Sequence, residues 1–124
     1  DSLSASLCRG FPDTIFSVAK ELEFSLPLNV AIAFADASIQ ALTNSVQHAG
    51  RNAERHIRLK ADRHGLKVVV KDDGKGFRES KIPKNRLGVR NSIRRRITAV
   101  GGIVVIDTAP RKGTAVVLRW DPNA

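Results

Sequence analysis

Three short stretches carry side chains suited to a polar or phosphorylated ligand. In QALTNSVQHAG, residues 40–50, amides stand at Gln40, Asn44 and Gln47, with Thr43 and His48 beside them. On a helix, residues three and four apart share a face, so the amides form one polar stripe. Burying unpaired amides costs on the order of 1–3 kcal/mol each. The stripe therefore faces a ligand, water or other polar groups, or else it is the exposed edge of an amphipathic helix. An amide oxygen is also a neutral ligand suited to magnesium, which takes few protein ligands and keeps phosphate oxygens and water.

The second stretch is DDGKG, residues 72–76. A carboxylate at a strand end offers an acceptor to a ligand's amino group, and the glycines after it let backbone pass close to a flat ring or a phosphate. Alone, the same run also describes an ordinary tight turn. The third is LGVRNS, residues 87–92, with Gly88 expected at the start of a helix and Arg90 nearby. A helix N-terminus favours anions through its free N–H groups and partial positive charge. An ordinary entry to a surface helix would look the same.

The elements that position these stretches follow from periodicity. Pro27 suits a first helical turn, and from Leu28 to His48 the residues Val30, Ala31, Phe34, Ala37, Leu42 and Val46 recur at helical spacing. Ala49 and Gly50 should end this helix. TIFSVAKELEF, before it, reads as an edge strand. ERHIRLKAD and LKVVVKDD alternate apolar and polar residues around Arg63, His64 and Gly65, as a hairpin does. GKGFRESKIPKNR has no periodicity and reads as a loop of roughly a dozen residues, longer than most connections. Gly88 to Val100 returns to helical spacing through Val89, Ile93, Ile97 and Val100, and Gly101 and Gly102 end it. GIVVIDTAP and GTAVVLRW form a second hairpin around a Pro-Arg-Lys-Gly turn. This order predicts an α+β, two-layer sandwich with helices on one face of a mixed, mostly antiparallel sheet. Residues 1–13 read as a linker remnant, and 14–124 as one domain.

Composition bounds the reading. A chain of 124 residues suits one domain with a real core. With 42% hydrophobic and 27% charged residues it is of ordinary globular composition. No apolar run approaches the ~18 residues of a membrane span. The single cysteine, Cys8, excludes an internal disulfide and fits a reducing compartment. The start, DSLSASLCRG, lacks a methionine and a signal-peptide core, as expected of a piece of a longer protein. A net charge of +9 implies an anionic partner or a solvated basic face.

Taken in order, ALTNSVQHAG, DDGKGF, LGVRNSI, GGIVVI and KGTAVVLRW strongly resemble the ATP-binding domain of sensor histidine kinases. That domain shares a superfamily with gyrase, Hsp90 and the mismatch-repair MutL proteins. The resemblance runs from about Leu28 to Trp120 and is nearest to the nitrate-sensor-like kinases with a short lid. It implies a Bergerat-type sandwich, ATP and magnesium as ligands, and phosphoryl transfer to a histidine on a separate dimerisation domain. It further implies a cognate response regulator and a bacterial cytoplasmic setting, with any membrane attachment in other parts of the parent. Residue by residue, Asn44 matches the asparagine that binds magnesium, and Asp72 the aspartate that accepts the adenine amino group, with Gly74 and Gly76 completing its motif. Gly88, with Arg86 and Val89 beside it, matches the second glycine motif near the phosphates. Thr114 matches a threonine near the adenine pocket, and His48 the histidine after the asparagine motif.

The chain departs from that pattern where the chemistry is most demanding. The family carries glutamate four residues before the asparagine, as a general base, and here the position is Gln40. Glutamine cannot accept a proton, so assistance worth roughly 100- to 10,000-fold is missing. Asp36 lies a turn earlier, displaced by about 5 Å. Gln47 stands where a basic residue is common, Arg86 where a glycine is common, and Arg111 replaces the first glycine of a Pro-Gly-X-Gly-Thr turn. Arginine at 86 brings a cation toward the phosphates without glycine's close backbone approach. Two readings share the fold: an ATP-binding catalytic domain, and a catalytically impaired nucleotide-binding signalling module. An anti-sigma type serine kinase is a minor variant of the same fold. A nucleic-acid-binding domain would explain +9 and Arg94, Arg95 and Arg96, but 5% aromatic residues provide few stacking platforms.

Overall fold

The computed structural model describes the backbone of residues 15–20, 26–48, 53–62, 65–74, 84–108 and 111–122, and the side chains of these except at 15–20, 48 and 84–90. In chain order the elements are β1 (Ile15–Lys20), α1 (Leu28–His48), β2 (Arg55–Asp62), β3 (Gly65–Asp72), α2 (Lys84–Thr98), β4 (Ile103–Thr108) and β5 (Thr114–Trp120). The long helix runs as its periodicity requires. Its first turn is closed by Ala31 N–H donating to Pro27 O at 3.0 Å, with proline at a position whose missing N–H costs nothing. The expected stop at Ala49 and Gly50, the linker remnant at 1–13 and most of the long loop lie outside the described residues.

The five strands stand in the order β1-β2-β3-β5-β4. β1 is an edge strand, parallel to β2, while β2–β3, β3–β5 and β4–β5 are antiparallel. Both hairpins form as expected. Period-2 alternation sets the two faces: Ile57, Leu59, Ala61, Leu66, Val68, Val70, Val104, Val116 and Leu118 are buried in one cluster with Val30, Phe34, Ala37, Ala41 and Leu42 of α1 and Ile93 and Ile97 of α2. Phe34, Leu42, Ile97 and Leu118 are fully enclosed, each contributing roughly 1.5–3 kcal/mol of transfer free energy. Val46, counted among the helix's core positions by spacing, is 48% exposed. It stands on the side of α1 that also carries the exposed Ile39 and Thr43, while Ser45 beside it is buried.

The topology has an unusual consequence. Parallel strands need a crossover, and there are two: β1 to β2 through α1, and β3 to β4 through α2, with β5 between that second pair. β1 and β3 run in opposite directions, yet both crossovers step the same way across the sheet. The two helices nevertheless share one core on one face. Crossovers of opposite strand sense and equal step can share a face only if their hands differ, so one is left-handed, against a right-handed preference of about 98%.

Two boundaries differ from expectation or explain it. α2 begins at Lys84, so Gly88 lies inside the helix instead of at its start. Lys84, Asn85 and Arg86 are all competent helix residues and extend it backward from the apolar stripe that periodicity detects. The helix ends as expected. Gly101 N–H donates to Thr98 O at 3.0 Å and Gly102 N–H to Ile97 O at 2.9 Å, a Schellman cap with Gly101 left-handed at φ 82°. Among the described residues no helix is long and apolar enough to cross a membrane.

In the β4–β5 turn Arg111 is left-handed, at φ 66°, in the position of the missing turn glycine. An L side chain pays roughly 1–2 kcal/mol there. Arg111→Gly is expected to raise stability by about 1 kcal/mol, read as a higher urea midpoint at unchanged m-value.

Candidate functional site

Polar groups gather at one end of the sandwich, where β3 and β4 finish, β2 and β5 begin, and the second half of α1 passes over them. Asp72, the last residue of β3, falls on the helix side of the sheet and is only 6% exposed. A buried carboxylate is costly unless hydrogen-bonded, and both oxygens have donors. Ser45 Oγ–H donates to Oδ2 at 2.8 Å, and Gly74 N–H donates to Oδ1 at 3.0 Å. The second bond is an Asx turn, in which an aspartate accepts from the amide two residues on. Since an ionised carboxylate has about four acceptor sites, Asp72 keeps capacity for a further donor.

The surrounding backbone fixes this geometry. Glu54 N–H donates to Asp73 Oδ1 at 2.6 Å and Asp73 N–H to Glu54 O at 3.2 Å, which extends the β2–β3 ladder past Asp72. Arg55 stands opposite Asp72 in register, and both are buried on the helix side. The Arg55 guanidinium donates to Ala53 O at 2.9 Å. Thr114 is opposite Asp72 on the other flank. Thr108 Oγ1 donates to Gly113 O at 3.2 Å, which leaves Thr114 the donor in the 3.0 Å contact between the two hydroxyls. Gly113 is left-handed at φ 74°, and a Cβ there would stand 2.0 Å from the Asp72 carbonyl oxygen. No other residue type fits without displacing the strand end.

On α1, Gln40, Asn44 and His48 follow one another at single-turn spacing. Gln40 is half-buried; its Nε2 donates to Ser92 Oγ of α2 at 3.3 Å, while its Oε1 is buried with no partner. Asn44 is half-buried, and its side chain bonds to no other described residue. Thr43 and Gln47 are exposed, so the stripe splits: Gln40 and Asn44 turn inward, and Gln47 faces solvent. Asp36 is held by Arg96 at 3.3 Å, both side chains about half exposed. A pair so exposed contributes at most about 1 kcal/mol, but it ties the carboxylate to α2 one turn from the Gln40–Ser92 contact.

The structure thus brings Asp72, Gly74 and Thr114 together at one end of the fold, with Asn44 beside Ser45 on the helix above, while Gln40 lies a turn earlier against Ser92 of α2. The backbone of Arg86, Gly88 and Val89 lies in the first turns of α2, and that of His48 at the end of α1. Gly76 lies outside the described residues. Sequence reasoning missed Ser45 and Ser92, which join α1 to β3 and α1 to α2. Ser45 had a readable signal: it follows Ala41 and Leu42 at helical spacing on the core face, where a hydroxyl requires a partner.

Comparison with known proteins identifies the family and the fold. A family model described as histidine kinase-, DNA gyrase B- and HSP90-like ATPase matches residues 31–124. The chain is 29% identical over 92 residues to the signal transduction histidine-protein kinase/phosphatase DegS of Brevibacillus brevis, covering 74% of this chain and 23% of that protein. It is 34% identical over 87 residues to an uncharacterised sensor-like histidine kinase of Chloroflexus aurantiacus, covering 64% of this chain and 14% of that one. It therefore spans less than a quarter of these relatives. The histidine kinase domain of the blue-light activated kinase of Erythrobacter litoralis superposes with a TM-score of 0.67 at 24% identity, over 98% of this chain and 58% of that domain. The α+β sandwich is that of histidine kinase ATPase domains.

Removing the Ser45 hydroxyl leaves a buried carboxylate oxygen short of a donor. Ser45→Ala is expected to cost about 1–3 kcal/mol by urea denaturation. Gly113→Ala is expected to cost more, about 3 kcal/mol, from the left-handed φ and the collision together.

Proposed function

The chain belongs to the histidine kinase-, DNA gyrase B- and HSP90-like ATPase family, and from that premise we propose that it is the ATP-binding catalytic domain of a bacterial two-component sensor histidine kinase. In this reading it occupies residues 14–124 and binds Mg·ATP for phosphoryl transfer to a histidine on the dimerisation domain of its cytoplasmic parent, which hands the group to a cognate response regulator. The observation that carries the reading is Asp72: a buried carboxylate, oriented through both oxygens, with acceptor capacity left for an adenine amino group. Thr114 flanks the same pocket. Gly74 and Gly76 allow the purine to approach the backbone.

A magnesium ion fits the residues present only in one manner. No group of three or more His, Cys, Asp or Glu among the described residues is able to hold a metal, so the phosphates and water supply most of the coordination. Asn44 Oδ1, half-buried and unengaged with described residues, is its protein ligand. Magnesium prefers this kind of sparse, phosphate-rich shell, and when bound it neutralises developing phosphate charge. Arg86, Gly88, Val89 and His48 belong to the phosphate end of the site.

One observation favours a second reading, a nucleotide-binding signalling module with impaired catalysis. The general-base position is Gln40, whose Nε2 is tied to Ser92. Its buried Oε1 accepts a hydrogen bond from a hydroxyl or water but cannot take the proton. Asp36, the nearest carboxylate on the helix, is turned to Arg96.

Calorimetric titration separates binding from its absence. Mg·ATP is expected to bind, Asp72→Asn to weaken binding tenfold or more, about 1.4 kcal/mol, and Asn44→Ala to remove the magnesium-dependent part. Absence of binding at millimolar nucleotide would refute the proposal. In the full-length parent, Gln40→Glu is expected to raise phosphotransfer by roughly 100-fold or more; robust wild-type transfer excludes the impaired reading.

A further inference from the structure

The outer face of the sheet, turned away from both helices, carries a concentration of charge that the proposed nucleotide site does not use. Its outward positions include Arg58 and Lys60 of β2, Lys67 and Lys71 of β3, and Arg119 of β5. The register sets Lys60 opposite Lys67 and Lys67 opposite Arg119, three cations abreast on three adjoining strands. Neighbouring strands are only about 4.8 Å apart, and like charges directly opposite one another destabilise a sheet. Among the described residues none of the five cations forms an ion pair. Folding alone gives no reason to assemble them.

Apolar residues run through the middle of this charge. The next row across the strands is Arg58, Val69, Val117 and Val105, and Val105 is 52% exposed. On one side of the row lies a depression of about 390 Å³ bordered by Lys60, Lys67 and Arg119, with Asp62 and Asp121 at its edge. On the other lies one of about 540 Å³ where Arg58 and Lys71 face Glu54, Asp72 and Asp73, so the basic character of the face is concentrated on the side of the Lys60–Lys67–Arg119 row.

We propose that this outer sheet face is a docking surface for an acidic polypeptide segment, with apolar side chains seated on the valine row and carboxylates against the three adjoining cations Lys60, Lys67 and Arg119. The chemistry of the face selects that occupant. A polypeptide interleaves carboxylates with aliphatic side chains at the short spacing at which the face interleaves cations with valines. A nucleic acid strand would need exposed stacking platforms, and the nearest indole, Trp120, packs against the core and donates to Val100 O at 3.2 Å. A flat lipid surface leaves the depression beside the cation row unfilled. Binding through such a face is electrostatically steered and falls with salt.

The test is fluorescence anisotropy of the 124-residue chain with a labelled peptide of alternating Glu and Val. Salt-sensitive binding is expected, weakened about tenfold or more by Lys60→Glu with Lys67→Glu, and also weakened by the neutral pair Lys60→Gln with Lys67→Gln. Both pairs relieve repulsion, so their urea midpoints should be unchanged or higher. Arg95→Ala with Arg96→Ala, on α2, should leave the affinity as it was. The proposal fails if the peptide does not bind, if the Lys60 and Lys67 variants bind it undiminished, or if the α2 variant abolishes binding. It also fails if oligothymidylate or phosphatidylserine vesicles bind the same face more tightly than the peptide.

Discussion

The hydrogen bond from Ser45 to Asp72 joins the helical layer to the sheet at the point where the polar end of the fold begins. A carboxylate that is 6% exposed survives burial only with donors on its oxygens, and each donor comes from a different local device. One is a hydroxyl on the core face of a helix; the other is an Asx turn that follows from the aspartate's own position two residues before Gly74. Around them the backbone permits little movement, because Gly113 leaves no room for a Cβ and the Glu54–Asp73 pair locks the strand ends. A ligand meeting Asp72 meets a group oriented before it arrives, which spares the ordering cost that binding would otherwise carry.

The topology explains why polar groups from distant segments converge here. With both helices on one face, the second half of α1 comes beside α2, and Gln40 reaches Ser92 across the two. The left-handed crossover this requires is rare, and among the described residues no helix covers the other face of the sheet. Among the described residues the two faces thus have separate chemistry: a buried carboxylate beneath the helices, and a row of cations behind them.

Much of this was legible in the residues. The start of α1, both hairpins and the glycines that end α2 followed from period and turn chemistry, because those signals are local. The edge position of β1 was also legible. The start of α2 was not, since Lys84, Asn85 and Arg86 carry no apolar period and only propensity extends the helix over them. The crossover hands were invisible because they depend on how strands pair across the whole chain. At the site, chemistry at strand ends and helix faces marked Gln40, Asn44, Asp72, Gly74 and Thr114; the structure joins Asp72, Gly74 and Thr114 at one strand end and sets Gln40 against Ser92. Ser45 and Ser92 were passed over because a serine reads as neutral until its partner is known. Gln47 read as part of the stripe, yet it is exposed near the end of the helix, two turns beyond the Gln40–Ser92 contact.

The most direct measurement is the response of backbone amides to Mg·ATP, followed by NMR in the isolated chain. If Asp72 and its donors form the floor of a nucleotide site, the largest shifts fall on Gly74, Ser45 and Asn44, with Thr114 following, and they saturate together. Shifts that leave these amides unmoved and gather on Lys60, Lys67 and Arg119 would show nucleotide attracted only by surface charge, and would contradict the account.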